Sequence, residues 1–142
     1  MKNVMNRALV AEKKLFILLA AIVMSVCLMA QDMEFPPVYP ASPNARYRLF
    51  PTKNMYMFIE LDTKTGKMNQ VQWSTKGDEY RFSSILSDRD LTLGDSTATA
   101  GRFTLYPTTN IYNFILLDQE DGRTWQVQWN HDKDKRIVTF IW

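Results

Sequence analysis

The stretch RYRLFPTKNMYMFIELDTKTGKMNQVQW, from Arg46 to Trp73, returns 56 residues later as RFTLYPTTNIYNFILLDQEDGRTWQVQW, from Arg102 to Trp129. The two align without a gap, and 15 of 28 positions are identical. The chain therefore contains an internal duplication, and its fold is that of one unit used twice. The match weakens after Trp73 and Trp129, although Asp78 still pairs with Asp134 and Ile85 with Ile141.

Each copy reads as strands. Arg46–Phe50 alternates and stops at Pro51, which lacks the N–H a ladder needs. Met55–Asp62, Lys67–Ser74 and Tyr80–Leu86 follow. The second copy gives Arg102–Tyr106, Ile111–Asp118, Arg123–Asn130 and Arg136–Trp142. Aromatic and β-branched residues are frequent in all of them. Asp62-Thr-Lys-Thr-Gly66 and Asp118-Gln-Glu-Asp-Gly122 each open on Asp and close on Gly, the chemistry of a type I turn followed by a residue at positive φ. Two hairpins are thus expected.

The third strand carries the clearest period of two. Val71 and Trp73 point one way, as do Trp125, Val127 and Trp129. Gln70, Gln72, Gln126 and Gln128 point the other way. The Trp/Val face is expected to form the core and the Gln face to be polar. The second strand is apolar on both faces (Tyr56, Phe58, Ile59, Leu61; Tyr112, Phe114, Ile115, Leu117), as in strands covered on both sides. The expected fold is all-β: two tandem repeats of about four antiparallel strands each, packed as a pseudo-symmetric sandwich or small barrel.

Outside the repeats the chain changes character. Lys2, Arg7, Lys13 and Lys14, against Glu12 alone, precede the uncharged run Leu15–Ala30. A basic start, an apolar stretch and a small residue before the polar chain resumes form a secretory signal over residues 1–30, cut between Ala30 and Gln31. An uncleaved membrane anchor would want about 20 apolar residues. A lipoprotein reading through Cys27 would want a small residue where Val26 stands. Residues 31–45 are proline-rich and form an extended tether. A single all-β domain then covers 46–142, with repeats at 46–86 and 102–142 and a polar loop at 87–101. The expected location is the periplasm or the exterior.

The whole chain has a formal net charge of +2, but the signal holds four of its 17 basic residues and one of its 15 acidic ones. The remainder, with 13 basic and 14 acidic residues, offers no electrostatic case for nucleic acid. The signal also holds the sole Cys, so no disulfide is expected in the exported chain.

The string LDxxxGxxxQVxW resembles the strand pair of quinoprotein-type β-propeller repeats, where LDxxTGxxxW is common. The matching residues are Leu61, Asp62, Thr65, Gly66 and, two positions out of register, Trp73; in the second copy they are Leu117, Asp118, Gly122 and Trp125. The resemblance implies a shared hairpin. Propellers close with several such sheets, so two copies imply neither that fold nor a quinone cofactor. The fuller string PTxNxYxFxxLDxxxGxxWQVQW is similar to repeats in short secreted proteins of gut Gram-negative bacteria. That likeness implies export and a repeat architecture and carries no activity.

Polar and aromatic residues kept in both copies are the candidate site residues: Arg46 and Arg102, Thr52 and Thr108, Asn54 and Asn110, Tyr56 and Tyr112, Asp62 and Asp118, Gln70 and Gln126, Gln72 and Gln128. The two Asp residues suit their turns, and the two Asn residues suit corners between strands. Calcium is disfavoured, because Asp118-Gln-Glu-Asp121 has only Asp-Thr-Lys-Thr as its counterpart. The glutamines either bond across strands or form a polar ladder that reads a peptide backbone or a sugar, with Tyr56, Tyr112 and Trp125 stacking beside it. His131 lies in a charged turn. No serine has a nucleophile-elbow context, and no pair of acids stands out for glycoside hydrolysis. The expectation is a binding module without catalytic, metal or cofactor chemistry. Its partner would be a protein, peptide or glycan, with membrane contact only through an uncleaved signal. The alternative is a periplasmic inhibitor or accessory subunit acting through loop 87–101 or the terminal strand Phe140-Ile141-Trp142.

Overall fold

The computed structural model describes residues 42–142. The expected signal peptide and all but the last residues of the tether lie outside that range. The described residues contain eight strands: β1 (Tyr47–Pro51), β2 (Met57–Asp62), β3 (Met68–Gln72), β4 (Phe82–Ser87), β5 (Phe103–Pro107), β6 (Asn113–Asp118), β7 (Thr124–Gln128) and β8 (Ile137–Ile141). They form two open four-stranded meanders, β1-β2-β3-β4 and β5-β6-β7-β8, with every neighbouring pair antiparallel. The protein is all-β, and each repeat is one sheet. Neither sheet closes into a barrel.

The polar residues shared by the copies build the connections. Thr52 Oγ donates to Met57 O at 2.9 Å and accepts from the N–H of Asn54; Asn54 Oδ1 accepts from the N–H of Tyr56. Thr108 and Asn110 repeat the donation to Asn113 O and the acceptance from Tyr112 N–H. These side chains fix the β1–β2 and β5–β6 corners by replacing backbone partners that a turn leaves free. At the hairpins, Gly66 (φ 77°) and Gly122 (φ 72°) donate N–H to Asp62 O and Asp118 O, and the two carboxylates accept N–H groups from the turns they open. The left-handed φ is what Gly supplies without steric cost.

Register places Phe50, Met57, Ile59, Leu61, Met68, Gln70 and Gln72 on one face of the first sheet, hereafter its glutamine face. Tyr47, Leu49, Phe58, Glu60, Asn69, Val71 and Ile85 lie on the other, its valine face. In the second sheet the valine face carries Phe103, Leu105, Phe114, Leu116, Trp125 and Val127. One core contains Phe50, Met57, Ile59, Leu61 and Met68 together with Phe103, Leu105, Phe114, Leu116, Trp125 and Val127. The glutamine face of the first sheet is therefore packed on the valine face of the second. The expectation that the Trp/Val face is the core holds for the second sheet and is reversed in the first, where Gln70 is fully buried and Trp73 is 40% exposed. Two copies of one sheet stacked in the same sense must bury opposite faces. The second strands are covered on one side only, contrary to the reading of β2 and β6 as strands enclosed on both faces.

The connection between the sheets is not a free polar loop. Leu91, Thr92 and Ala98 are buried. Leu91 N–H donates to Thr65 O, and its side chain lies so close to Gly66 that a Cβ there would stand 2.9 Å from Leu91 Cδ1. Thr63 is the junction. Its N–H donates to Arg46 O, its carbonyl accepts from Phe103 N–H at 2.8 Å, and its hydroxyl oxygen accepts from Gly101 N–H at 2.9 Å.

Candidate functional site

Arg102, at the start of β5, is buried with 2% of its side chain exposed. It donates to Asp118 through Nε and Nη2, both at 3.0 Å, and pairs with Asp95, Glu120 and Asp121 at 2.7–3.1 Å. Arg123 joins through Asp118 and Asp121, both at 2.8 Å. Burial alone would raise the Asp118 carboxyl; the bonds from Arg102 and Arg123 and from two backbone N–H groups outweigh it and hold the group below the ordinary carboxylate range. The Arg102 guanidinium is correspondingly raised above its ordinary value by the Asp118 hydrogen bond, against the lowering effect of its own burial. In the first repeat only the outline survives: Arg46 reaches Asp62 at 3.3 Å with 55% of its side chain exposed. Arg102, expected as a ligand contact, is thus a structural tie between β5 and the β6–β7 turn. The carboxylates of the Asp118–Asp121 turn are drawn to guanidinium, and no group of three metal-ligating side chains occurs among the described residues.

Each of the four glutamines makes a hydrogen bond within the fold. Gln70 Oε1 accepts from Asn130 N–H of the second repeat at 2.9 Å, while its Nε2 is buried without a partner. Gln126 Nε2 donates to Asn113 Oδ1 at 3.0 Å. Gln72 and Gln128 donate to Tyr80 O and Lys135 O, both at 2.9 Å, anchoring the single-turn 3-10 segments Asp78–Tyr80 and Lys133–Lys135. Of the two readings of the glutamines, bonding across strands is seen at Gln126, and a continuous polar ladder is not formed, because the glutamine face of one sheet is interior and that of the other is exterior. Trp125 does not stand beside the glutamines. It is 4% exposed on the opposite face, tilted against Phe103 and edge-on to Phe140.

Tyr56 and Tyr112 do sit at the surface, 41% and 40% exposed. Each lies 5.3 Å, centroid to centroid, from the tryptophan of its repeat, Trp73 or Trp129. In the first repeat Tyr56, Gln72, Trp73, Ser74, Lys76 and Tyr80 line an open recess of about 150 Å³. Tyr80 is 47% exposed, so three aromatic rings reach solvent there beside an amide and a lysine. From sequence Trp73 is expected in the core, and Lys76 and Tyr80 carry no signal. Trp73 is identical in both copies, but Lys76 and Tyr80 lie past the aligned block.

A second recess, of about 220 Å³, opens on the valine face of the first sheet beside Tyr47, Glu60, Asn69 and Ile85. Asn69 occupies there the position that the bulky Trp125 fills in the second sheet. No family model matches the chain, and neither a curated protein nor a solved structure matches it.

Proposed function

We propose that the protein is an exported, non-catalytic binding module, and that the recess at Tyr56, Trp73 and Tyr80 takes one sugar ring of a glycan. The observation that carries this reading is the convergence of three solvent-exposed aromatic rings with Gln72 and Lys76. Apolar ring faces with polar groups at their edges suit a ligand that is flat on its faces and hydroxylated on its rim. The recess is smaller than the few hundred Å³ usual for a drug-sized ligand, which fits a single ring. The test is a glycan array followed by calorimetry with Tyr56→Ala and Tyr80→Ala. Both variants should lose binding with little change in melting temperature. Binding that survives both, or an array with no hit while peptides bind, counts against the glycan reading.

The alternative of an inhibitor acting through loop 87–101 is supported by Leu93. It is 82% exposed at φ 57°, between Asp90, which accepts from the N–H and hydroxyl of Thr92, and Asp95, which does the same for Thr97. An apolar side chain held at a rigid tip suits insertion into another protein's cleft.

A further inference from the structure

The core is a contact between the glutamine face of one repeat and the valine face of the next. One valine face, on the first sheet, and one glutamine face, on the second, are left over. Of the eight exposed large apolar residues in the strands of the described chain, six lie on these two leftovers. On the first sheet Tyr47, Leu49 and Ile85 are 59%, 52% and 61% exposed. On the second, Tyr106, Ile137 and Ile141 are 51%, 41% and 41% exposed.

Three of these six residues are repeat counterparts of buried ones, whereas Ile85 and Ile137 correspond to Phe140 and Phe82, which are themselves 36% and 39% exposed. Tyr47 and Leu49 correspond to Phe103 and Leu105, which are 0% and 4% exposed, and Tyr106 corresponds to Phe50 at 5%. From this self-complementarity we infer that a second copy of this chain docks head-to-tail, its first sheet's valine face on the second sheet's glutamine face, repeating between chains the contact made within one.

Three polar contacts across the internal interface have counterparts; a fourth, from Lys53 Nζ to Thr109 O at 2.9 Å, has none, because Thr109 itself stands where the second repeat would need a lysine. Within the chain, Phe103 N–H donates to Thr63 O, Asn130 N–H donates to Gln70 Oε1, and Arg136 Nη1 donates to Ile85 O. The equivalent pairs between chains are Tyr47 N–H with Gln119 O, Ser74 N–H with Gln126 Oε1, and Arg81 with Phe140 O, the last requiring Arg81 Nη1 to be shared with Asp78, which it meets at 2.7 Å. Arg136 and Arg81 are equivalent because each donates Nε to the carbonyl following its repeat's third strand, Asn130 O or Ser74 O. Gln119 is also in the required pose: its N–H donates to Arg102 O as that of Thr63 does to Arg46 O, and its Nε2 donates to Gly101 O as the Thr63 hydroxyl does to Ala45 O. The leftover faces are more polar than the internal pair, with Glu60 and Asn69 for Leu116 and Trp125, and Asn113 and Thr124 for Met57 and Met68. That balance is expected of surfaces that must stay soluble before they meet.

A head-to-tail contact closes into a ring when the rotation per subunit divides a full turn. Stacked four-stranded sheets close at roughly four to eight in propellers, which is roughly two to four copies of a two-sheet chain. The inference does not rest on the glycan reading. Trp129 is covered within the chain while its neighbour Tyr112 stays exposed; docking would cover Trp73 in the same way and leave Tyr56 open, so it would withdraw one of the three rings from the proposed glycan recess.

Native mass spectrometry of the purified protein, with light scattering across a concentration series, tests the inference. The expected result is one discrete species of two to four chains (roughly, from the propeller range). Leu49→Arg and Tyr106→Arg, each altering one leftover face, should both be folded monomers by circular dichroism. Mixed in equal amounts they should form a one-to-one heterodimer, because one keeps the glutamine face and the other the valine face. A wild-type monomer at every concentration, an unlimited ladder of masses, or self-association of either variant alone overturns the inference.

Discussion

Trp73 and Trp129 hold the same place in their repeats, each donating its indole N–H to a backbone carbonyl, Met55 O at 2.8 Å and Ile111 O at 3.0 Å. Yet Trp129 is 2% exposed and Trp73 is 40% exposed. One local structure thus serves as core in one repeat and as surface in the other. Trp129→Ala should cost about 3–5 kcal/mol, the range for truncating a buried aromatic. Trp73→Ala should cost clearly less in dilute solution, where only its partial burial is lost. Urea denaturation of the two variants under identical conditions checks the difference; equal losses would mean that both rings are interior.

The arginine pair offers a second contrast. Arg102→Ala leaves the buried Asp118 facing Arg123 alone, and breaking a buried ionic network of this kind costs about 3–5 kcal/mol. Arg46→Ala removes one exposed partner at 3.3 Å and should change stability far less. Chemical denaturation measures both.

Acid should act through Asp118. Its folded carboxyl titrates below the ordinary value of about 3.9. A depressed folded pKa contributes stability that is complete above the unfolded value and is lost as pH falls through the folded one. Stability should therefore hold above about pH 4 and decline below it. Asp118→Asn should be less stable at neutral pH and show a shallower acid decline, as read from urea midpoints between neutral and strongly acidic buffer. A slope equal to that of the wild type would place the acid sensitivity elsewhere, for example on Asp90, Asp95 and Asp132, which are also lowered by local hydrogen bonds.

The two hairpin glycines separate conformational cost from packing cost. Gly122 has positive φ and open space around its missing Cβ; Gly66 has positive φ and Leu91 at 2.9 Å. Gly122→Ala should cost about 1–2 kcal/mol, the penalty of the left-handed region for an L-residue. Gly66→Ala should cost more, and Leu91→Ala should cost about 2–5 kcal/mol by itself while removing the 2.9 Å contact at residue 66 and leaving only the Leu91 Cβ at 3.2 Å. The double variant is then less than additive, which thermal melts of the three proteins can establish.

The strands, hairpins and corners were legible because they rest on local chemistry: Asp and Gly in turns, Pro at a strand end, Asn at corners. Which face each sheet buries was not legible from the residues the copies share. An alternating strand has two faces, and its pattern does not say which one another sheet will cover. The differences held that information. Met57 and Met68 on the buried glutamine face become Asn113 and Thr124 on the exposed one, and Glu60 and Asn69 become Leu116 and Trp125. Retention of the glutamines does not separate a surface ladder from bonding within the fold, because it is compatible with both; the separation comes from the stacking, which takes Gln70 inside and leaves Gln72 beside a recess. The aromatic recess was half visible: Tyr56 and Gln72 lie inside the repeat, whereas Lys76 and Tyr80 are brought to them by the turn that Gln72 anchors.

The stacking of unlike faces is the claim on which the rest depends. It is tested most directly by nuclear Overhauser contacts from the Gln70 side-chain amide in labelled protein held at monomeric concentration. A cross-peak between that amide and the backbone N–H of Asn130, whose donor nitrogen lies 2.9 Å from Gln70 Oε1, is the predicted result. A cross-peak from Gln70 to the Gln126 side chain instead, the outcome of like faces meeting, would contradict it.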